Sequence, residues 1–485
     1  MLTTIPASIE VVRRAQCQWQ QLPIGERLRR IGQIPLGIVR QADALAAAVV
    51  RPAASCGEIL ASEVVPLAEA ARYVARKGRR VLARREPAGS DRAWWMGTID
   101  VQQVRQPYGV VLIVGPSNYP LFLPGVQIVQ ALAAGNGVLV KPAPNCAQVV
   151  HNFAEICCAA GIPKDLVCVL PTTVAAAQMA IQAGVDKVVF TGSRESGRDV
   201  ARQCADSGTP AALELSGCDP VFVLDDADLE QVVRRVAYAL QMNGGQTCIA
   251  PRRLFATPST LDRLCPVLKE VLARVQPCSS AAPDDARLSA IQTAQTAIDQ
   301  ALASGARIVC GDSAGRISAH CIEPIVLADV TADMAVAQID LFVPVLSLIE
   351  VPDVSAALAA AQCSPLALGA SVFGSSVTAQ RLALSVVAGC VTINDVLVPT
   401  ADPRVSFGGW QQSGYGATRG PAGLLEMTRL KVICTRRGKW LPHLTTPAKS
   451  LTDAMRGIML LRHGGSLVQR WQGIKFLWKS IRHGS

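Results

Sequence analysis

The chain has 485 residues, half of them hydrophobic, and its 47 Lys and Arg residues exceed its 37 Asp and Glu residues by ten. This length and hydrophobicity suffice for more than one buried core. The positive charge is concentrated at the C-terminus, because residues 436–485 hold ten Lys and Arg against one Asp, which leaves residues 1–435 nearly neutral. A near-neutral body gives no reason to propose nucleic-acid binding, which needs a basic patch on the folded surface.

The cysteines and histidines argue against disulfides and metals. The sixteen cysteines form no pair of Cys-x-x-Cys motifs, and the first twenty residues are mixed-polar rather than signal-like. We therefore expect free thiols and a cytoplasmic protein. Only His151 and His320 precede the tail, so we expect no metal centre. Residues 106–140 carry no charge, but Gly and Pro interrupt them before the roughly 20 residues of a membrane span are reached.

The first half of the chain predicts an open α/β sheet. Residues 7–86 show apolar positions at helical spacing, and residues 92–106 alternate like a strand. Short apolar runs and helical segments then follow one another: Val110–Val114, Leu121–Ala134, Gly137–Val140, Val167–Leu170, Thr173–Ala183 and Lys187–Phe190. This alternation is typical of a Rossmann-like, mostly parallel sheet, which binds ligands at the carboxyl ends of its strands.

A second α/β region is predicted from about residue 215 to 403. Its expected strands are Val221–Leu224, Leu254–Ala256, Ile308–Cys310, Leu346–Ile349, Ala370–Phe373 and Cys390–Asn394. A glycine-rich loop at Phe407–Gly409 and Ser413–Gly416 precedes a helix near Gly420–Arg429. The body therefore reads as two intimately joined domains.

Two side chains have the chemistry of covalent catalysis. Cys248 follows a glycine turn in Asn-Gly-Gly-Gln-Thr-Cys and could be exposed on a loop, as a nucleophile must be. Most free cysteines are inert core residues, and fifteen others compete with this one. Glu214 lies between apolar residues at the end of a strand-like run and could serve as a general base in a cleft, although such an acid is often only a surface residue.

Three further segments suit an oxyanion or a nucleotide. Asn118 follows a buried strand on a stiff turn and is either a turn residue or an oxyanion donor. Lys141 ends another strand and is either solvated or in contact with a nucleotide. Residues 190–197 lead from a strand through Gly192 and Ser193 into a helix whose N-terminus would suit a pyrophosphate, although the segment is not a Gly-x-Gly-x-x-Gly motif.

Taken together and in this order, these segments resemble the aldehyde dehydrogenase superfamily. The similarity continues through Asp340–Val345, Asn394 and residues 406–414, and it covers most of residues 10–432. Its most specific parts are Glu214-Leu-Ser-Gly and Gly-Gln-Thr-Cys248, which are 34 residues apart.

The resemblance implies a hydrolytic, NAD(P)-dependent mechanism. Cys248 would attack the aldehyde, the Asn118 amide and the Cys248 backbone N–H would hold the oxyanion, and Glu214 would activate water to release the acid. Members that pass the acyl group to coenzyme A commonly lack this Glu. The implied cofactor contacts are Lys141, Gly192, Ser193, Gly197, Leu215, Asp340 and Phe342.

Departures from the family pattern concern the cofactor. The acid of the family's Glu-x-Phe-Gly-Pro motif is Asp340 here, and its Gly is Val343. Ser117 stands where a Trp is common. Pro144 stands where many members carry a Glu that binds the adenine ribose, so NAD and NADP both stay open, with NAD favoured. Tyr119, Leu123, Met242 and Ile249 would line the access tunnel and favour an uncharged aliphatic or aromatic aldehyde.

The expected domain organisation has four parts. Residues 1–90 and 107–214 would form the dinucleotide-binding domain and residues 215–405 the catalytic domain. Residues 91–106 and 406–435 would form a bridging, oligomerising β element of a homodimer or homotetramer. In the tail, residues 436–485, Gly464 and Gly465 separate two helices, and the second places its apolar residues on one face among Arg and Lys. Such a helix binds an anionic membrane or a protein partner, or packs on its own body.

Two alternatives remain at this stage. One is a coenzyme A-acylating or phosphorylating relative on the same scaffold, against which Glu214 argues. The other is a catalytically weak scaffold protein with a binding tail, which Asp340, Val343 and the tail itself make conceivable. The joint presence of Asn118, Glu214 and Cys248 argues against it.

Overall fold

A computed structural model describes residues 4–51, 54–91, 98–274, 278–279, 285–319, 321–437 and 449–482. Its helices are α1 Ile5–Trp19, α2 Ile24–Ile31, α3 Ile34–Arg40, α4 Ala42–Ala48, α5 Cys56–Ile59, α6 Val65–Val81, α7 Phe122–Ala134, α8 Ala147–Ala159, α9 Val174–Gln182, α10 Arg194–Ser207, α11 Leu229–Gln241, α12 Pro258–Ala273, α13 Asp285–Ala303, α14 Val354–Ala361, α15 Ser376–Ser385, α16 Gly420–Glu426, α17 Lys449–His463 and α18 Leu467–Arg482.

The strands alternate with these helices through most of the chain. They are β1 Ile99–Pro107, β2 Val110–Val114, β3 Gly137–Lys141, β4 Val167–Val169, β5 Lys187–Thr191, β6 Ala211–Glu214, β7 Asp219–Val223, β8 Pro251–Ala256, β9 Cys278–Ser279, β10 Arg307–Cys310, β11 Cys321–Ile322, β12 Ile325–Ala328, β13 Val345–Glu350, β14 Leu366–Ala367, β15 Gly369–Phe373, β16 Cys390–Ile393, β17 Trp410–Gln411, β18 Gly414–Tyr415 and β19 Thr428–Arg436.

The first large sheet has the order β18-β6-β5-β2-β3-β4 and is parallel except at its β18 edge. Its strands β2, β3 and β5 are apolar along nearly their whole length and buried on both faces, as strands of a parallel sheet covered by helices must be. Helix α7 is buried all round, which explains why residues 106–140 carry no charge. The predicted Rossmann-like sheet is confirmed. Its strands β3 and β6 end at Lys141 and Glu214, respectively.

The second large sheet has the order β10-β12-β13-β8-β7-β15-β16 and is parallel except between β10 and β12. Its predicted strands are confirmed within one to three residues at their ends. Strand β12 was not anticipated, because Ile325–Ala328 is a run of only four apolar residues without alternation.

Several local predictions need correction. The helix expected to reach Arg429 ends at Glu426, because β19 begins at Thr428. The glycine-rich loop contains β18, which pairs antiparallel with β6 and places Gly414 opposite Glu214. Trp94 and Trp95, in the predicted 92–106 strand, lie outside the described residues, and the observed strand there is β1.

The described chain separates into two compact units. The first comprises residues 1–83 and 105–430 and contains both large sheets. The second comprises residues 84–104 and 431–485 and contains the helices α17 and α18. Strands β1 and β19 form a two-stranded sheet. Among the described helices, none combines the length and apolar character needed to cross a bilayer.

A buried ion pair ties the first sheet to the helix beyond it. The Lys187 Nζ on β5 lies 2.5 Å from the Glu426 Oε1 at the end of α16. The Lys187 side chain is 2% exposed and that of Glu426 is 28% exposed. Removal of the Glu426 carboxylate would destabilise the fold, because the Lys187 ammonium would remain buried without a counter-charge.

We therefore expect Glu426→Gln to lower the free energy of unfolding by roughly 2–3 kcal/mol, less than a fully buried pair costs because Glu426 retains some contact with solvent. The control is Glu270→Gln, which breaks an exposed pair with Arg274 and should cost less than about 0.5 kcal/mol. Urea unfolding followed by circular dichroism measures both. An equal loss of unfolding free energy in the two variants would contradict a stabilising role of the buried Lys187–Glu426 pair.

Candidate active site

The nucleophile candidate is placed by a loop of unusual backbone. Helix α11 is followed by a turn in which Asn243 and Gly244 have left-handed φ values of 55° and 59°. Gly245 also has a positive φ, and a Cβ there would lie 2.4 Å from the backbone nitrogen of Pro344. The glycines of the motif therefore let the loop lie against the segment that follows Asp340, and Cys248 emerges from it partly exposed.

A second glycine fixes Cys248 against the strand end that carries Glu214. A Cβ on Gly217 would lie 2.5 Å from the Cys248 carbonyl oxygen, closer than a real contact allows. The two motifs that carried the family resemblance are therefore in direct backbone contact, and only glycine at position 217 permits it.

Asn118 lies on the other side of the same loop. Its Nδ2 donates to the Gln246 carbonyl at 3.0 Å, and its Oδ1 accepts from the Tyr119 backbone N–H at 3.0 Å. Asn243 Nδ2 in turn donates to the Asn118 carbonyl at 3.0 Å. An amide nitrogen carries two hydrogens, so one remains for an oxyanion.

Glu214 is buried at the end of β6, where it is 1% exposed. Its Oε2 accepts a short hydrogen bond from the Thr418 hydroxyl. Its Oε1 has no hydrogen-bond partner among the described residues. A buried carboxylate oxygen without a partner is an unusual and costly feature, and it suits an oxygen that takes a proton from water during a reaction.

The resting state of the thiol follows from its surroundings. Burial and the negative charge of Glu214 raise the pKa of Cys248 well above its ordinary value, while the guanidinium of Arg419 lowers it. Arg419 is itself buried, lies 4.1 Å from the ring centre of Phe407, and donates to the Thr400 carbonyl at 3.2 Å. Phe407 packs with Ile249 in a small cluster to which Cys248 belongs.

The predicted tunnel residues surround the loop. Tyr119 and Leu123 share one buried cluster with the partly buried Met242, and Ile249 lies in the Phe407 cluster. The Tyr119 hydroxyl lies 2.7 Å from the Thr247 hydroxyl, so this residue supports the Cys248 loop. A separate small cavity is lined by Tyr73, Phe122, Val126, Thr400 and Arg419 together with their neighbours, and none of the predicted tunnel residues lines it.

The predicted cofactor residues lie along the strand ends of the first sheet. Lys141 ends β3 and is 7% exposed, and burial lowers its pKa. Ser193 caps the N-terminus of α10 by accepting from the Ser196 N–H at 3.3 Å. A Cβ on Gly197 would lie 2.3 Å from a Leu215 methyl, so this glycine lets the helix pack on the residue after Glu214.

Asp340 and Phe342 complete the set from the second sheet. The Asp340 Oδ1 accepts from Arg252 Nε at 3.2 Å and from the Phe342 N–H at 3.1 Å, and burial raises its pKa to about 6 against the lowering effect of Arg252. Its Oδ2 is buried without a partner in the part of the chain that the structure describes. That free acceptor and the exposed N-terminus of α10 fit a dinucleotide with ribose hydroxyls and a pyrophosphate.

Sequence reasoning missed three residues of this site. Thr418, Arg419 and Arg252 carry no motif, and Thr418 is 204 residues from the Glu214 that it contacts. Arg252 also donates to the carbonyls of Gly245 and Val343, which fixes the Cys248 loop to the Asp340 segment.

Comparisons with known proteins agree with this geometry. Residues 3–433 match the aldehyde dehydrogenase family. The chain is 29% identical to a 4,4'-diapolycopene aldehyde oxidase of Methylomonas sp, over 97% of this chain and 93% of the relative. It is 32% identical to an NADP-dependent succinate-semialdehyde dehydrogenase of Deinococcus radiodurans, over 88% of this chain and 90% of that one. An NAD-dependent aldehyde dehydrogenase structure from Sinorhizobium meliloti is 26% identical with a TM-score of 0.80, covering 91% and 88% of the two chains.

The raised thiol pKa predicts how Cys248 reacts with iodoacetamide. Only the thiolate is alkylated, so the rate should be small at neutral pH and rise throughout the alkaline range. Glu214→Gln removes a negative charge that raises this pKa, so its profile should move to lower pH. The exposed Glu195 provides the control Glu195→Gln. Mass spectrometry of the Cys248 peptide separates this thiol from the others, and an unshifted profile in Glu214→Gln would contradict the geometry.

The contact at Gly217 predicts a second effect. Gly217→Ala should lower kcat/KM by at least about tenfold, because even a displacement of about 1 Å in the nucleophile loop is costly. Gly25→Ala is the matched control, because a Cβ at Gly25 meets no atom within 4 Å. Steady-state kinetics and thermal unfolding of both variants measure the effect. Normal activity in Gly217→Ala would show that the loop can move away without consequence.

Proposed function

Because the chain belongs to the aldehyde dehydrogenase family, we propose that Cys248, Glu214 and Asn118 catalyse the oxidation of an aldehyde to a carboxylic acid, with NAD or NADP as the oxidant. Aldehyde oxidation with one of these cofactors is the activity of the family and of this chain. The observation that carries the residue assignment is the gathering of a thiol, a buried carboxylate and an amide around one loop. We propose a catalytic domain at residues 215–405 and a cofactor domain at 1–90 and 107–214.

The first step is addition of sulfur to the carbonyl carbon. The partly exposed Cys248 thiol gives its proton to solvent water, its sulfur bonds to the carbonyl carbon, and the π electrons of the carbonyl move to oxygen. The second hydrogen of Asn118 Nδ2 and the Cys248 backbone N–H donate to that oxygen. The hydrogen bond from Asn118 to Gln246 holds the amide in place before the substrate arrives.

The second step yields a thioester and then an acid. When bound, NAD or NADP supplies the acceptor for the hydride that leaves the carbon. Glu214 then takes a proton from water through Oε1 while Thr418 holds Oε2, and the hydroxide displaces the Cys248 sulfur. A thioester is hydrolysed more readily than an oxygen ester, so a single buried carboxylate suffices as the base.

We propose that Lys141, Gly192, Ser193, Gly197 and Leu215 bind the cofactor from one side and that Asp340 and Phe342 hold the nicotinamide ribose. Asp340 is one methylene shorter than Glu, and its ion pair with Arg252 holds Oδ1, so Oδ2 is the acceptor for a ribose hydroxyl. We propose NAD as the preferred cofactor. The 2′-phosphate of NADP would be recognised near Lys141, where Pro144 provides no acid to repel it, so NADP can also be accepted. Steady-state kinetics with NAD and with NADP measure the preference.

For the substrate we propose an uncharged, largely apolar aldehyde. The predicted tunnel residues Tyr119, Leu123, Met242 and Ile249 are apolar or aromatic, and the Methylomonas relative is named for a 4,4'-diapolycopene aldehyde. The buried Arg419 and the succinate-semialdehyde dehydrogenases among the relatives favour a second candidate, an aldehyde with a carboxylate at its far end. Arg419 donates to Thr400 and stacks on Phe407, which engages its charge within the protein.

We propose that the chain is a cytoplasmic homodimer or homotetramer whose residues 436–485 make a peripheral contact with a membrane or a protein. Residues 91–106 and 406–435 are the proposed oligomerisation segments. The observation behind the peripheral contact is the exposure of Trp471, Trp478 and Ile481 on α18. Light scattering of the full chain determines the number of subunits.

Replacement of the nucleophile and the base should give different defects. Cys248→Ala should abolish turnover. Glu214→Gln should retain a burst of reduced cofactor but slow the release of acid by about 10²–10³-fold, because the thioester forms and lacks its base. Rapid-mixing absorbance measures both phases, and Glu270→Gln, at an exposed position on α12, should behave as wild type. Turnover in Cys248→Ala, or faster product formation when coenzyme A is added, would refute hydrolysis through this thiol.

The substrate proposal predicts a clear order of kcat/KM values. Hexanal, decanal and benzaldehyde should exceed succinate semialdehyde by at least about tenfold, because a carboxylate must be desolvated against apolar walls. The same absorbance assay measures all four with NAD and with NADP. A reversed order that disappears in Arg419→Gln would instead establish the carboxylated aldehyde as substrate.

A further inference from the structure

The tail forms a helical hairpin with an exposed apolar face. Helices α17 and α18 pack on each other with their backbones in contact, because a Cβ on Gly457 would lie 2.8 Å from the Gly473 carbonyl oxygen. The predicted break at Gly464 and Gly465 is confirmed as the turn between the helices. An ion pair between Asp453 and Lys479 at 3.2 Å joins them as well.

The face of α18 away from α17 is apolar and open to solvent. The exposed fractions are 83% for Leu467, 62% for Trp471, 39% for Ile474, 62% for Trp478 and 69% for Ile481. These are the five positions that helical spacing placed together. On α17, Leu451, Met455 and Met459 form an exposed apolar line of their own. Surfaces of this kind mark binding sites, because water is excluded from them when a partner is bound.

Positive charge flanks this face. Residues 449–482 contain seven Lys and Arg and one Asp, and that Asp is already paired with Lys479. Arg470, Lys475 and Arg482 lie at the margins of the apolar face at helical spacing, and the Lys475 ammonium lies 4.9 Å from the centre of the Trp471 ring. Trp with flanking Lys and Arg is the arrangement that anchors helices at the boundary between lipid headgroups and acyl chains.

We propose that this hairpin binds the surface of an anionic lipid bilayer, with Trp471, Ile474, Trp478 and Ile481 among the acyl chains and Lys475 and Arg482 at the phosphates. Trp and Arg are also common in protein interfaces, but Lys is depleted there, so Lys475 at the margin of this face favours the phosphates of a membrane over a protein partner. The inference rests on the proposed peripheral contact of the tail and adds its ligand.

The test uses the full chain and flotation with vesicles. Wild type should bind vesicles that contain phosphatidylglycerol and not vesicles of phosphatidylcholine alone, and binding should weaken with salt because the charges are then screened. The double variant Trp471→Ser with Trp478→Ser should bind at least about tenfold more weakly, because two interfacial anchors are lost. Val377→Ser with Leu384→Ser on α15 is the matched control, since these apolar side chains are 63% and 90% exposed in the first unit.

A charge variant tests the same surface without removing apolar area. Lys475→Glu with Arg482→Glu should abolish binding to phosphatidylglycerol, whereas Arg263→Glu with Lys269→Glu on α12 should retain it. Lack of vesicle binding by wild type would overturn the proposal. The proposal would also be overturned if the Trp double variant still bound vesicles but had a different number of subunits. That result would show that the face binds a second copy of the chain. Turnover of benzaldehyde in water, expected to be equal in all variants, separates this failure from failure of the proposed function.

A second observation concerns two consecutive residues beside the catalytic groups. The Thr418 hydroxyl donates to Glu214, and the Arg419 guanidinium stacks on the Phe407 ring next to Cys248. The Thr418 N–H also donates to the Phe407 carbonyl at 2.8 Å, which fixes both residues to that strand-like segment. Arg419 is 8% exposed, and its Nε has no partner in the described chain.

We infer that Thr418 and Arg419 are positioning residues that divide the proton between the base and the nucleophile. Thr418 holds one oxygen of Glu214 and leaves the other for the proton. Arg419 places a positive charge that offsets the effect of Glu214 on the thiol, and this is the charge that the Cys248 thiolate needs in a desolvated site.

Each residue has a readout that a merely structural role would not move. Thr418→Val should leave the burst intact and slow deacylation by about tenfold, with rescue by Thr418→Ser, because only the hydroxyl bond is lost. Arg419→Gln should move the iodoacetamide profile of Cys248 to higher pH, and Arg419→Lys should restore it in part. An unchanged deacylation rate in Thr418→Val would overturn the role of Thr418. An iodoacetamide profile that does not move in Arg419→Gln, together with a raised KM for succinate semialdehyde, would overturn the role of Arg419.

Discussion

The candidate active site depends on backbone-to-backbone contacts among three segments that approach too closely for any side chain to lie between them. Gly217 is against the carbonyl of Cys248, and Gly245 is against the backbone of Pro344. These contacts join the end of the first sheet, the nucleophile loop and the Asp340 segment of the second sheet. Because the interior is packed to the density of a solid, each of the three can hold its position only while the other two hold theirs.

The charges are arranged on this frame with opposing effects. Burial and Glu214 disfavour the thiolate of Cys248 and Arg419 favours it, and the net effect holds the proton on the resting thiol. Asp340 shows the same balance, because burial raises its pKa and Arg252 lowers it. Both arginines are buried and hydrogen-bonded to backbone carbonyls, which holds each cation at a fixed distance from the group it affects.

The tail contrasts with this body. In the first unit apolar side chains line the faces of the sheets and are covered by helices, whereas α18 leaves two tryptophans and three aliphatic residues largely in solvent. Gly457 and Gly473 bring the two helices of the hairpin together without using those residues. The close backbone contact and the ion pair between Asp453 and Lys479 join the two helices, and the apolar face of α18 remains exposed.

The sequence by itself predicted most of the parallel strands, the helices between them and the break in the tail, and its resemblance to a known family singled out Asn118, Glu214 and Cys248 as candidates. These follow from local patterns: continuous apolar runs, helical spacing, glycine turns and motifs read along the chain. Only the tertiary structure revealed Thr418, Arg419 and Arg252, which lie on segments far from their partners in sequence or carry no motif. A hydrogen bond between residues 204 positions apart, or a guanidinium stacked on a ring, leaves no periodic signal in the sequence. Such contacts depend on which segments the sheets bring together.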